Sequence, residues 1–595
     1  MNIGASMIKI AVTGFLLGGL AAGGTAGATG MVQLQASSPE ASGAQFAGHH
    51  DPRAKLDISM ALPLRNAAAL DTFLFQLRDK SSPNYHKFLT QKQFTAAYGP
   101  TQAQVTEVET FLKQRGLTVT SVSKGRTRIH ATGSTTAIEA AFGIAVNDYN
   151  YQGGKYFAAS TGPSLPQNIA ALVSHVFGLE NIAQYRSHAL TATASATQGV
   201  GPRGFTPLQI ATAYGWPALT VAAKAKAPAA GVTVAIATAF SFRQADIEHF
   251  WSSFGVPAHP LTVIPIDGST RQLEFETTLD VEESSTMSPG SNMLVYDAVD
   301  PNDQPFDDMY VQIADDDLAD VVSTSWGLSE SVSEQFEFGS VQTEHAAIQQ
   351  MTAEGMVFIA ASGDDGSADR TSGTDNADFP ASDPFTVAAG GTSLTLNTDN
   401  TIATEVVWND GPGSSAGGAD SILFAEPDYQ TNLSGWVSNT SCESDHTGDF
   451  PTVAGIPGLG CTGTGAASRQ NSDIAMDADP ETGYASYVNG RWAQGGGTSY
   501  VAPELAGFYA IVTARLRAAL KAQHVSGAST ARVGQGNPDL YMDYGLNVTD
   551  FNDIISGNNG MFSAGTGWDH PTGLGTPHSA DTLMNNLVVI MTETP

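Results

Sequence analysis

The chain has 595 residues and carries 27 Lys+Arg against 59 Asp+Glu, a net charge of −32. The imbalance is local: residues 1–190 hold 15 basic and 10 acidic residues (net +5), whereas residues 191–595 hold 12 and 49 (net −37). An acidic C-terminal part argues against nucleic acid as a partner, because phosphate recognition needs basic patches, and the length leaves room for two cores.

Lys9 precedes an apolar run, Ile10 to Ala22, and then small residues ending Ala26-Gly27-Ala28. That pattern predicts a secretory signal over residues 1–28 with cleavage after Ala28. A run of about a dozen residues is too short to span a bilayer. The expectation is a secreted, extracellular protein, with the periplasm as the alternative, and no membrane contact once the signal is gone.

Residues 29–190 predict a small α+β domain. Leu56–Leu62 alternates like a strand. Asn66 is positioned to cap a helix carrying Leu70, Phe73, Leu74 and Leu77. Thr101 with Gln104 forms a capping-box pattern for a second helix carrying Val105, Val108, Phe111 and Leu112. Strand-like Leu117–Thr120 and Thr127–Ile129 follow, then a helix near Thr135–Phe142. Residues 191–204, beginning Thr191-Ala192-Thr193-Ala194-Ser195, lack apolar periodicity and predict a flexible, cleavable linker. From residue 205 to 595, strand-like runs at 232–237, 261–266, 293–296, 321–325 and 357–361 alternate with helical ones at 242–254, 273–287 and 334–353. That alternation predicts an α/β domain, a parallel sheet with helices on both faces. Cys442 and Cys461 lie in one loop-rich segment; export favours a disulfide between them, and two structural thiols are the alternative.

Three spots carry candidate chemistry. Ser499 stands in Gly496-Gly497-Thr498-Ser499, directly before a long apolar stretch; it reads either as a helix cap or as a nucleophile displayed on a tight turn at a helix N-terminus. Glu276 and Asp280 are four residues apart in a helical stretch, hence on one face. They read as a solvated acidic surface or as a carboxylate pair sharing a proton, a base able to work in acid where histidine would already be protonated. Asp364 follows Gly363 at the end of an apolar strand, Phe358–Ala361, where open α/β sheets build their sites; a plain turn aspartate is the alternative.

Taken together, the Gly-Thr-Ser with Pro503 four residues on, the Glu-x-x-x-Asp and the Gly-Asp resemble the sedolisins, the serine-carboxyl peptidases that include kumamolisin. Subtilisins share the serine motif but need a His-Gly-Thr-His run, and none of the 13 histidines lies in one. Val321–Gly327, which resembles the strand lining the substrate cleft, Gly417–Gln430 and Asp473–Pro480 extend the resemblance, and residues 29–190 resemble a kumamolisin-type activation domain, with an attached substrate-binding module as the alternative. The resemblance implies a subtilisin-like fold, Ser499 as nucleophile, Glu276 as base, Asp280 as its orienting partner and a protonated Asp364 in the oxyanion site. It implies one structural Ca²⁺ on Asp553, Ile554, Gly565, Gly567 and Asp569, all oxygen donors, although these residues also read as ordinary turns. It further implies a monomer that hydrolyses proteins or peptides, inhibited by its own propeptide until acid releases it. The chain departs from the family at Asp365, where a serine is usual, and at Gly496. The rival readings are a neutral subtilisin-like hydrolase and a pseudoenzyme used as a binding module.

Overall fold

The structure is a computed structural model; it describes residues 30–34, 43–192, 201–219, 226–371, 375–434, 436–442, 460–461 and 463–593. The signal segment and the middle of the expected linker lie outside the described residues.

In the N-terminal part, β1 (Lys55–Ala61), α1 (Ala67–Arg78), α2 (Gln91–Ala97), α3 (Gln102–Gln114), β2 (Thr118–Val122), β3 (Arg128–Ser134), α4 (Thr135–Phe142) and β4 (His175–Phe177) build an antiparallel sheet of order β2-β3-β1-β4. The Thr101 side chain accepts from the Gln104 amide while the Gln104 side chain accepts from the Thr101 amide, the reciprocal bonding its spacing suggests. The Asn66 expectation fails in detail. Asn66 is the N-cap of α1 but sits at φ 57° with no capping bond, because its side-chain amide donates to the Ala97 carbonyl instead.

Two short strands, β5 (Arg186–Ser187) and β6 (Leu190–Thr191), cross into the second part. There β7 (Thr233–Ala239), α5 (Gln244–Phe254), β8 (Leu261–Ile266), α6 (Phe275–Met287), β9 (Asn292–Ala298), α7 (Asp303–Asp316), β10 (Val321–Thr324), β11 (Trp326–Ser329), α8 (Glu330–Ala353) and β12 (Val357–Ala361) alternate as expected. β13 (Thr386–Leu396), β14 (Ile402–Val407), β15 (Ile474–Asp477), β16 (Tyr484–Val488), β17 (Arg491–Gly496) and α9 (Thr498–Ala522) complete the site-bearing elements. The main sheet runs β8-β9-β7-β10-β12-β13-β14 with β15 also on β13, parallel except for β14.

Burial on both faces explains why the central strands are mostly apolar. Val234 and Ile236 of β7 enter one core with α6 and α9, while Ala235, Ala237 and Ala239 enter a second with α7 and α8. Leu70, Leu74, Leu77, Phe94 and Tyr98 of the N-terminal part belong to that second core, so the two parts meet along an apolar seam over α7 and α8. Charge reinforces it. Arg128 is bonded to Asp307 with both side chains buried, Lys124 lies 2.6 Å from Asp316, and Arg78 lies 2.7 Å from Asp428. Cys442 and Cys461 form a disulfide.

Candidate active site

The α6 helix is unusual for its acids: every residue from Glu276 to Met287 is buried. The solvated-face reading of Glu276 and Asp280 therefore fails, since each is 0 % exposed. The helix packs on α9, and one turn of spacing points both carboxylates the same way. Ser499 Oγ donates to Glu276 Oε2 at 2.8 Å, and Ser325 Oγ donates to Asp280 Oδ1 at 2.6 Å while also lying 3.2 Å from the Ser499 carbonyl. Glu276 Oε1 and Asp280 Oδ2 are buried with no hydrogen-bond donor. Two buried acceptors one helical turn apart are satisfied if a proton is held between them. Burial raises Glu276 to about 8, opposed by hydrogen bonds from Ser187 and Ser499; burial and the neighbouring Glu276 charge raise Asp280 well above its ordinary range.

Ser499 is not the cap of α9. The N-cap is Gly497, at φ 106°, which puts Ser499 in the first turn with its hydroxyl turned to α6. A Cβ on Gly497 would lie 2.4 Å from Asp364 Oδ2 and 1.9 Å from the His188 carbonyl oxygen. Only glycine fits both the backbone angle and the contact. Asp364, 1 % exposed, accepts through Oδ1 from the amide and the hydroxyl of Thr498, each at 2.8 Å, while its Oδ2 has no partner. Burial, with a smaller push from Asp365, raises it to about 7 against the pull of His188 and Thr498. A protonated Asp364 thus offers a free O–H beside Ser499. Asp365 is bonded to the half-exposed Arg370.

The segment before the linker fills this cleft. β5 pairs antiparallel with β11 (Arg186 opposite Gly327) and β6 pairs antiparallel with β17 (Leu190 opposite Gly496). Between them the His188 amide donates to the Ser325 carbonyl at 3.1 Å, and Ser187 Oγ donates to the same Glu276 Oε2 as Ser499, at 2.6 Å. The His188 ring, 3 % exposed, enters a pocket where Nε2 lies 3.3 Å from Asp378 Oδ2. A cavity of about 340 Å³ continues past it, lined by Asp365, Asp369, Arg370 and Asp378 among others. Burial alone would lower His188, but Asp378 first, then Asp364 and Asp369, carry it up to about 10.

Sequence reasoning missed Ser187, His188, Ser325 and Asp378 as individuals. Only Ser325 stood in a motif already assigned to the cleft; the others have ordinary neighbours and gain meaning from strand pairing.

At the far end, Asp553 accepts from the Gly567 amide at 3.1 Å, and Asp569 accepts from Gly565 at 3.1 Å and from Thr572. The two aspartates and the Gly565–Gly567 loop are therefore together, with Ile554 adjoining Asp553. Among the described residues the carbonyls of Ile554, Gly565 and Gly567 accept no hydrogen bond. Spare carbonyls plus two carboxylates suit a hard divalent cation such as Ca²⁺.

A largely parallel sheet flanked by helices, with a buried serine and two carboxylates meeting at a helix start, is a subtilisin-like α/β arrangement of the peptidase class. Residues 42–182 match the Pro-kumamolisin activation domain, and residues 273–537 match the Subtilase family. Kumamolisin from Bacillus sp. (strain MN-32) is 30% identical over 521 residues, covering 83% of this chain and 85% of that protein. Sedolisin from Pseudomonas sp. (strain 101) is 27% identical over 551 residues, 87% of this chain and 85% of that one. The solved Pseudomonas sedolisin, a serine-carboxyl proteinase, superposes with a TM-score of 0.51 at 24% identity, over 65% of this chain and 98% of its own, a likeness of fold. The chain belongs to the sedolisin family: it is a serine-carboxyl peptidase preceded by a kumamolisin-type activation domain.

Proposed function

We propose that this is a secreted, acid-active endopeptidase made as a self-processing zymogen, with Ser499, Glu276 and Asp280 as its triad and Asp364 as oxyanion donor. The observation that carries the reading is the strap of residues 186–191, which holds the His188 carbonyl against Asp364 while Ser499 is bonded to Glu276. Ser499 Oγ attacks that carbonyl. Glu276 takes the hydroxyl proton and returns it to the leaving amine, Asp280 and Ser325 hold Glu276 in place, and the Asp364 O–H meets the developing oxyanion. The bond presented is His188–Ala189, within the 29–190 segment rather than in the linker. An acid-lined pocket around His188 favours a cationic side chain on the acyl side of the cut. The activation domain acts as an intramolecular inhibitor, held by the apolar contacts and charge pairs of the seam.

The motif at residues 1–28 supports export, and a monomer is the working state we assign. Asp553, Asp569 and the carbonyls of Ile554, Gly565 and Gly567 would hold one Ca²⁺, whose charge would tie that loop together. Ser499→Ala should leave the precursor full length at every pH and lower peptide turnover by about 10⁴-fold or more. In the active precursor, transfer to mild acid should yield Ala189 as the earliest new N-terminus by mass spectrometry. An earliest cut elsewhere with His188–Ala189 intact, or normal processing by Ser499→Ala, would overturn the reading.

A further inference from the structure

We propose that the seam between the activation domain and the peptidase holds a divalent-cation site, made by His130 of β3, Asp308 of α7 and Asp267 just after β8. One ligand atom from each lies within 4.8 Å of the other two. His130 Nε2 and Asp308 Oδ1 are 3.6 Å apart. Two ligands on a tetrahedral ion with bonds of about 2.1 Å sit roughly 3.4 Å apart, so little movement closes this pair on a metal.

Asp308 supplies the second observation. Its side chain is 5 % exposed, and neither carboxylate oxygen accepts a hydrogen bond within 3.5 Å, Gln304 and Asp267 being the polar side chains that act on it from farther away. The nearest fixed cation, Arg128, is engaged elsewhere: its Nε donates to Asp307 Oδ2 at 2.6 Å and stands 3.8 Å from Asp308. Arg128 and Asp307 cancel, which leaves two carboxylates facing one imidazole. Nitrogen with carboxylate oxygen is a donor set for zinc or a similar first-row ion. No sequence spacing signals it, because the ligands are 130, 267 and 308.

The function follows from ownership. Asp267 and Asp308 stay with the peptidase and His130 leaves with the activation domain. An ion that binds the joined state better than the separated one stabilises the joined state by the same margin. The metal would therefore clasp the zymogen and delay maturation. That consequence rests on residues 29–190 being removed; the binding itself does not.

The Ser499→Ala precursor, kept in Ca²⁺ so that the C-terminal loop is saturated, can be titrated with Zn²⁺ by calorimetry and followed by thermal melting. One equivalent of zinc should bind and raise the melting temperature by several degrees. Asp267→Asn should weaken it by about tenfold or more, since loss of a direct ligand costs at least what loss of an outer-shell partner does. Asparagine tolerates the φ of 55° at that position, so the fold is spared; His130→Gln provides a second variant. In the active precursor, zinc should slow maturation, the effect should vanish in Asp267→Asn, and peptide turnover by mature enzyme, which lacks His130, should be unchanged. Absence of saturable zinc binding, or equal binding by Asp267→Asn, would overturn the site. Zinc that binds without slowing maturation, or that slows mature enzyme equally, would overturn the clasp. A chain that binds zinc at His130 but never separates its domains would sink the zymogen reading and leave the site standing.

Discussion

The cleft and the seam are both built from buried acids, but they differ in what meets those acids. In the cleft, Glu276, Asp280 and Asp364 form no salt bridge to lysine or arginine among the described residues; the cationic group near them is His188 of the strap. In the seam, Asp307 and Asp316 meet Arg128 and Lys124 across the domain boundary. A buried acid without a cation keeps its proton and can donate it or share it. An acid paired with a cation across the boundary is a fastener, Arg128–Asp307 fully buried and Lys124–Asp316 at the rim. A fall in pH acts on the cleft through Asp364, which becomes a donor, while Glu276 must stay free to accept the Ser499 proton.

The largest test of this contrast is on Asp364. Asp364→Ala should reduce kcat by about 10²–10³-fold, the usual effect of removing one oxyanion donor. Asp364→Asn should retain much more, because an amide donates without needing a proton from solvent. The sign of the pH effect is fixed by the raised value of about 7. Below it Asp364 is a donor; as pH rises through it the proton leaves and activity falls. If maturation cuts after His188, the group that pulls the value down departs, and this alkaline limb should lie at or above 7. Asp364→Asn should lose that limb. If the variant kept the same alkaline limb as the parent, the limb would belong to another group and the donor role would fail.

The seam is tested by Arg128→Met, which keeps the bulk of the side chain and strands Asp307. Breaking one partner of a buried pair costs about 3 kcal/mol or more. The precursor should mature faster than the parent and at pH closer to neutrality, with mature peptide turnover unchanged because Arg128 lies outside that domain. Maturation kinetics identical to the parent's would show that the Arg128–Asp307 pair does not hold the seam.

This contrast also marks what the sequence could disclose. Spacing within one element was legible: four residues put Glu276 and Asp280 on one face, three residues made the Thr101–Gln104 box, and alternation of strand and helix gave the parallel sheet. Their environment was not. Neighbouring Glu274, Glu282 and Glu283 made α6 look wet, yet α9 and the sheet cover it completely. Asn66 had the local signature of a cap, and a tertiary partner, Ala97, took its side chain. α7 went unseen because its acids, Asp307, Asp308, Asp315 and Asp316, hide an apolar stripe that only the seam explains. Ser187, His188 and Asp378 meet through pairing between segments more than a hundred residues apart, which periodicity cannot register.

The carboxylates of the C-terminal loop offer a third case, acids that a metal rather than a proton or an arginine would satisfy. Asp569 is buried and accepts from the Gly565 amide and from Thr572, which aims its carboxylate into the loop beside Asp553. Asp569→Asn, or chelation, should lower the melting temperature in Ca²⁺ while leaving subsite preference alone. An ion at 100 times its Kd contributes about 2.7 kcal/mol. Differential scanning calorimetry that gives one melting temperature with and without Ca²⁺ would remove the site.

The smallest expected effect joins the cleft to its surroundings through Asp365. Its charge acts on Asp364 and favours the protonated form, and Arg370, bonded to it, offsets that action. Arg370→Ala should expose the Asp365 charge, hold the proton on Asp364 longer, and move the alkaline limb to higher pH. Asp365→Ser should do the reverse, leaving Arg370 unopposed. Because Arg370 is 41 % exposed, solvent screens it, and the shift should be about a third of a pH unit. Raising the salt concentration should shrink it further. Substrate binding supplies an internal control. Arg370 also lines the pocket that takes His188, so Arg370→Ala should lower KM for a peptide with arginine before the cut and change it little for one with leucine there. A limb that moves equally with both peptides while KM separates them would locate the two effects on Asp364 and on the pocket respectively. A limb that moves to lower pH in Arg370→Ala would show that Asp365 does not act on the oxyanion acid.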